Sequence, residues 1–171
     1  MAKDTFKKIS EMLVYPSAGF RHLFAHSEFM AEDRLRELGS EAEFVCVAYY
    51  ESRRWIVNSE GIASVIPRRG HQVHGVIWRI PEIELAALDI YLGVPSNVER
   101  FGALAYLPNG RRITSEYYGT KIRELGAASA EYLAPILKAG RERGLPDSYV
   151  EEMAAWINGA PHSDSARGLL A

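Results

Sequence analysis

Between residues 3 and 15, Phe6, Ile9, Met12 and Leu13 recur on one stripe, while Lys3, Lys7, Lys8 and Glu11 fall mostly elsewhere. That spacing predicts an amphipathic N-terminal helix, closed off by Pro16 and the small residues Ser17, Ala18 and Gly19. Phe20 to Ala25 is a short apolar run that reads as the first strand. A helix is expected over Met30–Leu38, with Glu32 and Asp33 near its start and Gly39 stopping it. Strands follow at Phe44–Tyr50, Arg53–Val57 and Ile62–Ile66, aromatic and β-branched, the last ended by Pro67. After an expected turn at Arg68-Arg69-Gly70, the segment from His71 to Ile80 alternates. Val73, Gly75, Ile77 and Arg79 share one face, and His74, Val76, Trp78 and Ile80 share the other, as in a central strand.

Pro81 opens a helix over Glu82–Tyr91, with Ile83, Leu85, Ala86 and Leu88 expected as its apolar side. Gly93 to Asn97 reads as a loop. Asn109-Gly110 between Arg100–Leu107 and Arg111–Tyr118 signals a hairpin. Ala130–Arg143 and Ser148–Ile157 close the pattern as helices, the second with Asp147 or Ser148 as its expected cap and Glu151 placed as in a capping box. The order does not alternate strand and helix, which disfavours a doubly wound parallel sheet. The expectation is an α+β fold, a small mixed β-barrel flanked by helices, with an extra N-terminal helix. Three parts are expected: residues 1–19 as helix and linker, 20–158 as the domain, and 159–171 as a mobile tail.

Composition narrows the function. The 171 residues are 47% hydrophobic and 25% charged, with 20 basic and 22 acidic residues and a formal net charge of -2. That balance supplies no overall positive field for nucleic acid or anionic lipid, so neither is expected as a partner. A single cysteine, Cys46, forms no internal disulfide and reads as an inert thiol in an apolar strand. No stretch has the length and apolarity of a signal peptide or a membrane span, and the expected location is cytoplasmic. His71 and His74, three apart on a strand, are expected on opposite faces, and His22 with His26 lacks further ligands, so no metal and no cofactor are expected.

Several stretches resemble one family in order and spacing. Leu23-Phe24-Ala25-His26-Ser27-Glu28-Phe29-Met30 is similar to the Y-F-A-Y-G-S-N-M strand and substrate loop of the gamma-glutamylcyclotransferase-like (AIG2-like) superfamily. Gly61-Ile62-Ala63-Ser64-Val65-Ile66-Pro67 and Val73-His74-Gly75-Val76-Ile77-Trp78 resemble its G-I-A-x-I and V-x-G-V-x-W/Y strands. Leu88-Asp89 followed by Gly93-Val94-Pro95-Ser96 resembles L-D-x-x-E-G-V-x-S, and the run from Gly140 to Tyr149 resembles the closing G-A-x-x-x-G-L-P-x-x-Y element. The resemblance implies a small barrel with a pocket at the first-strand loop. It also implies ring closure of a γ-glutamyl group to 5-oxoproline, in which the enzyme folds the substrate for attack and one glutamate shuttles the proton.

The departures fall on that pocket. The position of the family glutamate is Leu92, whose hydrocarbon side chain has no proton to exchange. Where the family has Y-G-S-N, this chain has His26-Ser27-Glu28-Phe29, and the tyrosine seven residues past the glutamate is Glu99. Loss of the glycine at Ser27 is expected to hinder backbone approach to a substrate carboxylate, and an inward Glu28 would repel one. Glu99 and His26 are therefore the candidate acid/base residues, each against a structural reading as a solvated strand residue or a hydrogen-bonded histidine. Phe24, Ala25, His26, Ser27, Glu28, Leu92 and Tyr118 are the candidate substrate-binding residues. Asp89 is expected to fix the following loop through backbone N–H bonds.

Two functions fit these residues: an enzyme acting on a γ-glutamyl-like amide or related small amino compound by relocated acid/base chemistry, or a catalytically silent small-molecule binder or interaction protein. In either, the expected partner is a small molecule, with the N-terminal helix as a candidate surface for a homodimer or a partner protein.

Overall fold

The fold was obtained as a computed structural model that describes Lys8 and residues 11–161. Six strands are present among the described residues: β1 (Leu13–Val14), β2 (Phe20–Ala25), β3 (Glu43–Val57), β4 (Ala63–Pro81), β5 (Val98–Tyr106) and β6 (Arg112–Thr120). They lie in the order β1-β6-β2-β4-β3-β5, and β5 also pairs with β6, so β2 to β6 close into a five-stranded barrel. β2 and β6 run parallel, Leu23 opposite Glu116, while the other barrel pairs are antiparallel. Among the described residues four helices pack around it: α1 (Glu32–Glu37), α2 (Glu82–Leu92), α3 (Ala130–Glu142) and α4 (Asp147–Ala155). This is the expected α+β class.

β4 carries the core. Val73, Ile77, Val76 and Trp78 are all at 0% exposure, so both faces of the strand are covered, one by the barrel lining and one by the helices. The Phe24 and Tyr50 rings meet inside the barrel at a centroid distance of 4.1 Å. Gly75 stands where this packing leaves no room. A Cβ there would lie 2.7 Å from Phe24 Cζ and closer still to the Ala25 carbonyl on the neighbouring strand. The glycine of the V-x-G-V motif thus lets β2 sit against β4 just before the loop that follows Ala25.

Here the structure departs from the sequence expectations at four places. Lys8 and Glu11 are helical, but Leu13 and Val14 form β1, parallel to Arg112 and Ile113, so the N-terminal helix stops earlier than its apolar spacing suggested. Most of that helix, residues 1–7 and 9–10, lies outside the described residues, as does the tail from residue 162. The two strands at 44–57 are one, irregular at Phe44/Cys46 and Glu51/Arg53, and Ser52 there has φ 54°. β4 likewise runs through Pro67 and Arg68-Arg69-Gly70, because the extra residues bulge out between Arg53↔Pro67 and Glu51↔Gln72 instead of turning the chain. α4 begins after Pro146 with no side-chain cap, so neither Asp147 nor Ser148 serves the role expected of it.

Gly75→Ala forces a methyl group into the β2 backbone and is expected to cost roughly 2–3 kcal/mol, the upper range for overpacking a filled core. Chemical denaturation measures this, and a variant as stable as the parent refutes the close-approach reading.

Candidate functional site

The loop after β2 is a single 3₁₀ turn, Glu28–Met30, in which the amides of Met30 and Ala31 donate back to the Ser27 and Glu28 carbonyls. It forms one wall of a cavity of ≈100 Å³. Phe24, Ala25, His26, Ser27 and Glu28 line it from the β2 side, Leu92 from the end of α2, and Val98, Tyr118, Gly119 and Thr120 from the β5–β6 hairpin. All seven residues proposed from sequence to bind substrate are therefore brought together. Tyr132 of α3 and Ile62–Ala63 line it too; no motif covers Tyr132, and the G-I-A-x-I resemblance gave Ile62 and Ala63 no site role.

Glu99 is a correction. Its neighbour Val98 lines the cavity, and a strand turns successive side chains to opposite faces. Arg100, paired with Tyr118, reaches α2, whereas Glu99 falls on the Phe101 side opposite Gly119. Its carboxylate is 44% exposed and 3.9 Å from Lys121, so it is a surface carboxylate beside a lysine.

Most polar groups of the wall are committed to the protein. The Tyr118 hydroxyl donates to Asp89 at 2.7 Å, and burial, then this carboxylate, pushes its pKa well up. Asp89 also meets Arg100 at 3.0 Å, so its side chain fastens the hairpin to α2 instead of fixing the loop. Tyr132 accepts the Ala63 N–H at 3.0 Å. Thr120 Oγ1 accepts from Asn58 and donates to the Ile122 carbonyl. Glu28 lies 3.4 Å from Arg34, its charge matched outside the cavity. Ser27 has φ −143°, so it does not occupy the positive-φ region that favours glycine.

His26 differs. It is 5% exposed, and its backbone carbonyl accepts the Trp55 indole N–H at 3.0 Å. Its Nε2 lies 2.7 Å from the Tyr118 carbonyl, an acceptor only, so Nε2 carries the proton. The lone pair is then on Nδ1, which is buried without a hydrogen-bond partner. Burial lowers the imidazole pKa, more than the bond to Tyr118 raises it, and the ring is neutral at pH 7. His22 and His74 are also lowered, chiefly by burial.

A larger cleft of ≈470 Å³ lies elsewhere, between the β3–β4 bulge and α4, lined by Glu51, His71, His74, Tyr149 and Glu152 among others. His71 and His74 both reach it, contrary to the opposite faces expected, because the bulge ending at His71 breaks the strand alternation. Among the described residues no group of three or more His, Cys, Asp or Glu side chains is placed to hold a metal. Cys46 is half-buried and its pKa is raised by desolvation, which keeps the thiol protonated. No described helix is long and apolar enough to cross a membrane.

A closed mixed barrel with flanking helices and a cavity under the first long strand is the gamma-glutamylcyclotransferase fold. The AIG2-like family model matches residues 72–153. The chain is 28% identical to gamma-glutamylcyclotransferase of Mus musculus over 146 residues, covering 77% of this chain and 76% of that protein. It is 27% identical to the Homo sapiens gamma-glutamylcyclotransferase over 143 residues, with the same coverage. A solved gamma-glutamyl cyclotransferase structure superimposes with a TM-score of 0.74 at 27% identity, over 80% of this chain and 88% of that one. YkqA from Bacillus subtilis shares the fold, with a TM-score of 0.71 at 20% identity over 92% of this chain and 59% of that one. In sequence and in fold the chain is similar to the gamma-glutamylcyclotransferase-like superfamily.

The lowered histidines set a pH dependence of stability. A group whose folded pKa lies below its unfolded value, about 6.5 for histidine, costs the native state nothing at higher pH and destabilises it as pH falls below that value. Thermal unfolding is expected to show a midpoint that drops between pH 7 and pH 5, and His26→Gln is expected to flatten part of that drop. A midpoint independent of pH across this window contradicts the buried neutral imidazole.

Proposed function

We propose that this chain binds a γ-glutamyl-like amide, or a related small amino compound, in the cavity at the end of β2 and processes it with His26 in place of the family glutamate. One observation carries the reading: His26 is a neutral imidazole on the cavity wall beside Leu92, and its free lone pair is on an unpartnered nitrogen. A lone pair of that kind takes a proton from a substrate ammonium, whereas Leu92 cannot.

For a γ-glutamyl amide the step balances without water or oxidant. The α-amine, once deprotonated, attacks the γ-carbonyl carbon, the ring C–N bond forms, and the bond to the leaving nitrogen breaks. Two protons pass in all from the α-nitrogen to the leaving amine, with Nδ1 of His26 as the relay. Binding in a folded conformation supplies most of the acceleration, because the attack is intramolecular.

A specific observation favours the silent reading. Tyr118 and Thr120 spend their hydroxyls on Asp89 and Asn58, and Leu92, Val98 and Phe29 leave much of the remaining wall apolar. A binder without catalysis needs nothing more than such a wall, and ligand binding without turnover decides for it.

A panel of γ-glutamyl amines, assayed for 5-oxoproline and for free amine, separates the two. We expect no appreciable release from γ-glutamyl-alanine or glutathione, whose cyclisation in the family relies on the residue replaced by Leu92. Any amide that is turned over is expected to lose at least a hundredfold in kcat with His26→Phe and nothing with Glu99→Gln. Its acid limb is expected below the ordinary histidine range, since the neutral form persists to lower pH. Turnover of γ-glutamyl-alanine at the rate of a family member carrying the glutamate would falsify the reading.

A further inference from the structure

Among the described residues that line the cavity at the end of β2, Glu28 is the only side chain with a formal charge. Its carboxylate lies 3.4 Å from Arg34, but that guanidinium is also 2.7 Å from Glu37, so the group keeps a net negative charge. The other acceptor on the wall is the unpartnered Nδ1 lone pair of His26. A ligand carboxylate brought against these groups meets a like charge and a lone pair, and the cost of desolvating it is not offset. An ammonium or an amide N–H meets two acceptors instead.

The hydroxyls do not reverse this preference. Tyr118 gives its proton to Asp89, and Thr120 gives its proton to the Ile122 carbonyl. Tyr132 accepts the Ala63 N–H and keeps its own proton, which burial makes harder to remove. It is an uncharged donor, suited to the carbonyl under attack. Phe29, Ile62, Leu92 and Val98 supply hydrocarbon, which favours methylene groups over charge.

We propose that the substrate of this site lacks the α-carboxylate: it is a 4-aminobutyryl amide, the decarboxylated counterpart of a γ-glutamyl amide, and its ring product is 2-pyrrolidinone. The inference rests on the cyclisation reading above and narrows its substrate class. The reacting atoms are unchanged, because the carboxylate is only a substituent on the carbon that bears the amine. That ammonium loses a proton to Nδ1 of His26, and its nitrogen attacks the acyl carbon. The ring C–N bond forms and the bond to the leaving nitrogen breaks. Two protons pass in all from the attacking nitrogen to the leaving amine, and the attack stays intramolecular.

Titration of three lactams into the full chain, followed by heteronuclear NMR, is the test: 2-pyrrolidinone, 5-oxoproline and 5-oxoprolinamide. The last has nearly the shape of 5-oxoproline without its charge. Both neutral lactams are expected to bind at millimolar concentration or below, and 5-oxoproline roughly tenfold more weakly than its carboxamide. Glu28→Gln is expected to close most of that difference, and added salt to narrow it in the parent chain. Binding of 5-oxoproline as tight as that of its carboxamide overturns the proposal. So does failure of both neutral lactams to bind, or a difference that neither Glu28→Gln nor salt alters. Turnover separates this inference from the reading it rests on. Preferential release of amine from 4-aminobutyryl amides supports both, whereas turnover of γ-glutamyl amides alone overturns only this one. The expected order of lactam binding with no amide turned over overturns only catalysis by His26.

Discussion

Helix α2 is held on the barrel by a run of alternating charges, and the site depends on where that run puts it. Asp89 pairs with Arg100, Arg100 with Glu116, Glu116 with Arg21, and Arg21 with Glu82, so both ends of the helix are tied to β2, β5 and β6. Asp89, Arg100 and Glu116 are only 20–29% exposed in their side chains. Their pairs sit between the surface regime, where an ion pair contributes about 1 kcal/mol or less, and the buried one, where removing a single partner costs far more than the pair contributes. The tie at Arg21 and Glu82 is a surface contact and adds orientation more than stability. The Tyr118 hydroxyl joins the same carboxylate, so the hairpin and helix cannot slide apart without leaving a partly buried charge unmatched. Fixing the helix fixes Leu92, which follows Asp89 by three residues and closes the cavity.

The same anchoring explains which parts of the site the sequence disclosed. Motif spacing located the loop, Leu92 and Tyr118, because short motifs record residues that converge on one pocket. It also attached roles to Tyr118 and Asp89 that depend on direction, and there it failed. Whether Tyr118 offers its hydroxyl to a ligand depends on Asp89, twenty-nine residues earlier. Alignment by offset put Glu99 at a pocket position, whereas strand alternation gives that position to Val98. Tyr132 carries no motif and Ile62 lies in one to which no site role was attached, so only closure of the barrel and the packing of α3 bring them to the wall.

The fold was more legible than the site, for a related reason. Alternation over Val73–Ile80, the Asn109-Gly110 turn and the glycine stops are local signals with local causes. The errors fell where long strands absorb irregularity. Pro67 and the Arg68-Arg69-Gly70 run look like a break, yet β4 passes through them because β3 supplies Ser52 as the residue opposite the bulge. Helix α2 shows the limit of periodicity in another way. Its apolar residues encircle more of the axis than one barrel surface can cover, so pattern alone could not tell Leu85 from Ile83.

Leu92 and His26 are physically linked. In the family motifs these positions hold a glutamate and a tyrosine, and here both have changed on one wall. A carboxylate at position 92 facing an imidazole would favour the charged ring and raise its pKa. With a hydrocarbon there, burial outweighs the backbone hydrogen bonds that raise the His26 pKa and keeps the ring neutral, with the Nε2 proton fixed by the Tyr118 carbonyl. Leucine also packs against the core from the cavity side, which a buried carboxylate could do only at the cost of desolvating its charge. A neutral imidazole and a leucine on one cavity wall are thus compatible in charge.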